Sequence, residues 1–284
     1  MRRSIGGAIA FSLVLVFAGA AGAAGARAAT AAAVPEGSPT ADEIVAKNIQ
    51  ARGGIEKIRG VKTLRMTGTM LVGDDRLPTT IEWKRPSSTR WEFEADGQTA
   101  VQVFDGKNGW TLMPFEGNTD PEPMSSEELE DVALQADLDG PLVDAEAKGN
   151  KIELVGKDDT EGRVAWKLKV TRKNGESRFV YIDAETFLQT LTVTKRSVDG
   201  RDIEIKSVID DYRGVDGLQL PHSFDATAPG MPQGQSLRFS KAEVNVPIDD
   251  SRFQKPSVNR PGSPTPRPDD DRDRQRRPTP ASTR

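Results

Sequence analysis

The residues that could do chemistry are few. His222, in "VDGLQLPHSF", is the only histidine in 284 residues, and there is no cysteine. A histidine acting as general base needs a nucleophile within hydrogen-bond reach and a partner to orient it. No G-x-S-x-G stretch supplies that nucleophile, and a zinc ion would find no further His or Cys ligand. In "GLQLPHSF" His222 alternates with Leu218, Leu220 and Phe224, which places it on an apolar strand face as a structural or cavity-lining side chain. Pro221 beside it lacks an N–H and suggests an edge strand or a bulge. The paired acids Asp74-Asp75, Asp158-Asp159, Asp210-Asp211 and Asp249-Asp250 fall mostly at turns and strand ends, where Asp is at home. "ADLDGP", with Asp137, Asp139 and Gly140, lacks the third acidic ligand and closing Glu of a calcium loop, and reads as the end of a helix. Gly53-Gly54 is not a phosphate cradle, because no strand precedes it and no Lys-Ser pair follows. The sequence therefore offers no catalytic residue, no metal ligands and no cofactor site, and is not expected to be an enzyme.

The two ends narrow the reading further. "MRRSIGGAIAFSLVLVFAGAAGAAGARAA" has a basic start, a short apolar run and Ala-x-Ala sites, so residues 1–28 read as a cleaved signal peptide. No cysteine follows the apolar run, so the chain cannot itself be lipidated as a bacterial lipoprotein is. Residues 29–40 read as a linker. Residues 256–284 are rich in Pro, Arg and Asp with almost nothing apolar, and read as a disordered tail. Between them, residues 41–255 suffice for one sizeable domain. Its stability must come from a core, since disulfides are excluded. A net charge of −4 argues against a nucleic-acid partner.

The elements that must position any site are punctuated clearly. "TADEIVAKNIQARGG" has Thr40 and Glu43 in capping-box spacing and a Gly-Gly stop; "GIEKIRG" continues it briefly. From Val61 the apolar period becomes 2. Leu64, Met66, Met70 and Val72 alternate with Arg65, Thr67 and Thr69; Ile81 and Trp83 with Glu82 and Lys84; Trp91 and Phe93 with Arg90, Glu92 and Glu94. Val164, Trp166, Leu168 and Val170 form a later strand face, and Ile203 and Ile205 another. Such strands, one face dry and one wet, joined by "DGKNG", "KNGE" and "VDGR", belong to an antiparallel sheet. Between the two strand groups "SSEELEDVALQADLDG" carries Ser125 and Glu128 as a second capping box, with Leu129 and Val132 on one helix face. A mainly β chain with a few helices, about ten to eleven antiparallel strands, and a sheet large enough to curl follows from this order. Its dry face needs a lid, and the amphipathic helices are the only candidates.

The stretches "ADEIVAKNIQARGGIEKIRGVKTLRMTGTM", "VQVFDGKNGWTLMPFEGNTDPEPMSSEELEDVALQADLDGPLVD", "NKIELVGKD", "FVYIDAETFLQT", "VDGLQLPHSF" and "AEVNVPIDDSRFQKP" together resemble bacterial outer-membrane lipoprotein-sorting proteins, a LolA-like superfamily group. The resemblance covers nearly all of residues 41–256. It implies a periplasmic protein whose strongly curved sheet, a half-open barrel, is closed on its concave side by helices. It further implies an apolar hollow that takes the acyl chains of a lipoprotein or other lipid, with inner- and outer-membrane sorting proteins as partners. A monomer is expected. An envelope sensor or protein-interaction module on the same fold is the alternative. Carriers of this kind hold the lid with an arginine, for which Arg65 and Arg90 are the candidates here. Strand parity assigns the expected cavity wall to Met66, Met70, Trp83, Trp91 and Phe93, with Leu129 and Val132 from the lid helix and Leu218, Leu220 and His222 on the far side.

Overall fold

The computed structural model describes residues 37–117, 119–160, 162–198, 201–229 and 234–257, without the side chains of 196–198, 201 and 202. The expected signal peptide, most of the linker and the tail beyond residue 257 lie outside the described residues.

Both capping boxes form. The Thr40 hydroxyl accepts from Glu43 N–H at the start of α1 (Ala41–Ala51), and Ser125 does the same from Glu128 N–H at the start of α3 (Ser126–Gln135). A short α2 (Ile55–Gly60) follows the Gly53-Gly54 stop. Six strands precede α3: β1 (Thr63–Val72), β2 (Asp75–Lys84), β3 (Ser88–Ala95), β4 (Gln98–Phe104), β5 (Gly109–Leu112) and β6 (Glu122–Pro123). Seven follow it: β7 (Lys151–Thr160), β8 (Arg163–Thr171), β9 (Ser177–Asp183), β10 (Gln189–Val198), β11 (Arg201–Val215), β12 (Leu218–Thr227) and β13 (Gln235–Val244).

All belong to one antiparallel sheet in the order β6-β5-β4-β3-β2-β1-β13-β12-β11-β10-β9-β8-β7. The sheet has 13 strands, not ten to eleven. The excess is explained by β5 and β6, with four and two residues, which are too short to display an alternating pattern. Two meanders meet where β1 pairs with β13, and the free edges are β6 and β7. Edge β7 carries a bulge between Leu154 and Gly156 and several charged side chains, devices that discourage a further strand from adding.

The only link between the two edges is the stretch from β6 to β7. Its helix, α3, is about 15 Å long, and residues 139–149 run through successive turns. Laid flat, 13 strands would separate the edges by about 58 Å, so the sheet must curl to bring them within reach of this crossover. The crossover passes over the inner face. There Val143 enters the core formed by β1–β4, β12 and β13, while its neighbour Leu142 enters the core of β8 and β9. Ile58 of α2 seals the first core, and Ile44 of α1 the second. Among the described residues no helix is long and apolar enough to cross a membrane.

The outer face is less wet than its alternating pattern implies. Phe253 and Ile248, beyond β13, pack on Val101, Val103 and Leu112. Beneath them Glu82 is only 2% exposed, and its carboxylate accepts from Arg65 at 2.8 Å and from Arg252 at 2.9 Å. Arg252 also reaches Glu92, at 2.9 Å. This charge network lashes the C-terminal stretch across β1–β3, and explains why Glu82 and Glu92 alternate with apolar residues without being solvated.

A second tie joins the first helices to the sheet. The β12–β13 ladder runs only from Ser223 to Ala226, so the start of β12 has no strand on that side. Gln219 N–H donates instead to Arg52 O, 3.0 Å away, at the end of α1. Pro221 therefore lies in a stretch with one strand neighbour. Gly53, at φ +120°, makes the turn, and a Cβ there would collide with the Gly217 carbonyl oxygen. Gly53→Ala is expected to lower stability by about 1–3 kcal/mol. Gly60→Ala, at an ordinary φ with open space around it, is expected to be neutral or mildly stabilising. Urea denaturation of the two variants side by side checks both expectations.

Candidate functional site

Between the inner face of the sheet and the crossover lies a cavity of about 210 Å³. Its floor is apolar: Leu64 and Met66 of β1, Ile81 and Trp83 of β2, Trp91 of β3, and Leu237 and Phe239 of β13. Ile209, Leu220, Pro221 and Phe224 continue it on the far side, and Val132 and Leu138 form the roof. Strands from both meanders thus face one space, as only a curled sheet allows.

Of the side chains expected on the wall, Met66, Trp83, Trp91, Val132 and Leu220 line this cavity. The others lie elsewhere. Met70 and Phe93 occupy the same sheet face but are sealed into the core further along, the Phe93 ring packing against Phe115 with centroids 5.8 Å apart. Leu129 packs beside Val132 in the cluster of Phe104 and Met124 and does not line the cavity. Leu218 borders a separate void of about 30 Å³ beside Ile58 and Val61. His222 is buried, with Nδ1 2.9 Å from Leu220 O, and does not reach the cavity.

The lid is pinned by hydrogen bonds that converge on the end of α3 and the "ADLDG" turn. Trp83 Nε1 donates to Gln135 O at 2.8 Å. Arg85 binds the Asp139 carboxylate with two nitrogens, one at 2.9 Å, and also donates to Val61 O and to Ile58 O in α2. Arg52 Nη1 donates to Asp139 O at 2.9 Å, and Lys148 Nζ to Asp137 Oδ2 at 2.6 Å. Arg65 and Arg90 sit instead on the outer face, paired with Glu82 and Glu92. The arginines that hold the crossover are Arg85 and Arg52 at the "ADLDG" turn, with Arg59 of α2 pairing Asp144 at 2.8 Å further along. Neither Arg85 nor Arg52 stood out in the sequence, since one sits at the end of β2 and the other just past a helix, where cations are commonplace.

Electrostatics follow from this packing. Burial pushes the Asp139 carboxyl up, but the Arg85 guanidinium, aided by Lys148 and Arg52, outweighs it and holds Asp139 below the ordinary carboxylate value. Burial depresses the Arg52 guanidinium, and Tyr212, Asp139 and Asp137 only partly restore it. Burial also raises the Tyr212 phenol, which therefore stays protonated and donates to Gln189 O at 2.8 Å. Arg52, Asp137, Tyr212, Gln189 and Gln219 give the cavity one polar end, and Thr89 and Gln102 add polar groups on the β3–β4 side. Among the described residues its wall contains no Ser, Cys or His. What this arrangement can do is shelter an apolar chain, since each CH₂ removed from water contributes about 0.8 kcal/mol.

A larger hollow of about 790 Å³ lies on the opposite face, over β7–β12. Its aromatic floor, Phe179 and Tyr181, is covered by the Lys167 ammonium at 4.8 and 5.3 Å from the ring centroids. Its rim is charged on most sides.

No family model matches the sequence, and a comparison with curated proteins finds no match. Solved structures do match. A LolA superfamily protein from Nitrosomonas europaea aligns over 77% of this chain and 99% of its own at a TM-score of 0.53 and 14% identity. A DUF1329 family protein from Desulfovibrio piger aligns over 76% and 98% at 0.54 and 12% identity. A protein domain from Vibrio parahaemolyticus described as outer membrane lipoprotein-sorting aligns over 74% and 94% at 0.50 and 10% identity. The described residues have a LolA-like fold.

The clamp should respond to acid. The Asp139 contribution is complete above its unfolded value of 3.8 and is lost as the pH falls through the lower folded value. Amide exchange in residues 136–150 is therefore expected to be insensitive to pH-driven opening between pH 5 and 7 and to accelerate only below about pH 4. Asp139→Asn and Arg85→Ala are expected to show the faster exchange already at pH 7. Mass-spectrometric hydrogen exchange, corrected for intrinsic rates, reads both.

Proposed function

We propose that this chain is an exported, non-catalytic carrier that holds the acyl chain of a lipid or lipoprotein in the cavity under the crossover. The observation that carries the reading is the apolar-walled hollow of about 210 Å³ beneath a clamped lid. That volume exceeds the roughly 150 Å³ of a dry engineered cavity that admits benzene. In the closed form it accommodates a segment of a chain rather than a whole diacylglyceryl group. A full cargo requires the crossover to lift from Trp83 and Arg85, a hinged movement of an element tethered at both ends.

The same reading places the domain, residues 41–255, in the periplasm after removal of residues 1–28, as a monomer that takes cargo from an inner-membrane partner and passes it to an outer-membrane one. Residues 256–284 lie beyond the carrier domain. The LolA-like fold supports this placement.

The test is a chain-length series of n-alkanols from C6 to C12 added to the mature protein, followed through the fluorescence of Trp83 and Trp91. Affinity is expected to rise about fourfold per CH₂ while the cavity fills, the equivalent of 0.8 kcal/mol, and to flatten once it is full. Val132→Trp, which fills the roof, is expected to weaken the C10 alcohol at least tenfold. Absence of binding at every length, in the wild type and in Arg85→Ala alike, overturns the carrier reading. It leaves the alternative of an envelope sensor or interaction module, whose hollow has no cargo.

A further inference from the structure

Arg52 stands apart from the other cations around the lid. Arg85 has the Asp139 carboxylate, and Lys148 has that of Asp137. Among the described residues no carboxylate lies within ion-pairing distance of Arg52, whose guanidinium makes one hydrogen bond, to the Asp139 carbonyl. A guanidinium has five N–H donors, so most of its capacity is unmet by protein. It is also partly withdrawn from water, on the wall of the cavity and of the small void beside it. Holding a charge in such a place is unfavourable unless something answers it.

The surroundings add to the imbalance. Around the "ADLDG" turn, three cations, Arg52, Arg85 and Lys148, face two carboxylates, Asp137 and Asp139. Tyr212, which lines the same end, is protonated and neutral, and its hydroxyl is already committed to Gln189 O. The Gln219 side chain, also on the wall, has no protein partner among the described residues. Two charged side chains line the cavity, Arg52 and Asp137; Asp137 is held by Lys148 from outside the wall, which leaves Arg52 as the charge there without a carboxylate of its own, beside an unengaged amide.

We infer that the cavity takes a single-chain amphiphile with an anionic head, carboxylate or phosphate, seated on Arg52 with Gln219 beside it, and with its chain along Met66, Trp91 and Phe239. This inference rests on the carrier reading and deepens it. The guanidinium matches an oxyanion with paired N–H donors, and such charge-assisted bonds are about twice as strong as neutral ones. The chain supplies affinity, and the head fixes orientation by reading charge.

The experiment compares dodecanoate, dodecyl phosphate and dodecan-1-ol, each below its micellar concentration, at pH 7 with the mature protein by isothermal titration calorimetry. At least one of the two anions is expected to bind tenfold or more tightly than the alcohol, and which of them does so identifies the head. In Arg52→Gln the ratio of anion to alcohol affinity is expected to fall to about one, whatever the loss of the lid contact does to both; Arg52→Lys is expected to keep most of the preference. Equal binding of anions and alcohol by the wild type, or an unchanged preference in Arg52→Gln, overturns the assignment of the head and leaves the carrier reading standing. Failure of all three ligands overturns both. Should Arg52→Gln not fold, the wild-type ratio with the Arg52→Lys ratio still decides, because a preference that Lys abolishes as if the site were merely reshaped would count against a charge anchor.

Discussion

The constraint that organises this protein is topological. A sheet whose terminal strands pair in its middle has its free edges at the midpoint of the sequence, and one crossover must join them. Since that crossover is a short helix and a string of turns, the sheet cannot lie flat. Curling makes the inner face concave, and the segment that enforces the curl is also the segment that covers it. Cavity and lid are therefore consequences of one connection. The lid cannot swing free at either end, so any movement must come from rotation about its two attachments or from a change in the curvature of the sheet.

Two sets of charges then work on opposite faces. Outside, Glu82, Glu92, Arg65, Arg90 and Arg252 bind the C-terminal stretch over β1–β3. This brace stiffens the region whose inner face carries Met66, Ile81 and Trp91. Inside, Arg85 ties three things at once: the C-terminus of α2 through two carbonyls, the turn after α3 through Asp139, and β2 from which it projects. The outer brace holds the sheet while most of the inner ties, those of Trp83, Arg85 and Arg52, converge on residues 135–139, which favours a lid that releases as a unit rather than fraying. Trp83 has a part in both roles, since its ring lines the cavity while its N–H holds the end of the lid helix.

Much of the fold could be read from local signals. Capping boxes at Thr40 and Ser125, the Gly53-Gly54 stop and the period-2 runs are short-range patterns, and each forms where the residues indicate. What could not be read depends on residues far apart in sequence. The burial of Glu82 requires residue 252 to come back across the sheet. "ADLDG" ends a helix, as its composition suggests, but its stronger use is the grip of Arg85 on Asp139, across 54 positions. Parity gave a common face for Met66, Met70, Trp91 and Phe93. It could not say that the lid covers Met66 and Trp91 with room to spare while Met70 and Phe93 are packed shut. Gln219 and Pro221 border the cavity together with Leu220, which strict alternation does not anticipate; the strand has no β13 neighbour there, so its edge as well as its face meets the hollow.

A hollow in the protein's own packing is itself an energetic statement. Apolar wall atoms that face a space instead of protein forgo close-packed contacts. A domain meant only to be stable would close such a space with a larger side chain at Val132 or Leu220, a change that needs no new backbone. Retaining the space beside a cation without a carboxylate partner concentrates two unfavourable features in one place, and a single amphiphilic occupant relieves both. On the carrier reading a bound chain supplies those contacts, which couples occupancy of the cavity to closure of the lid.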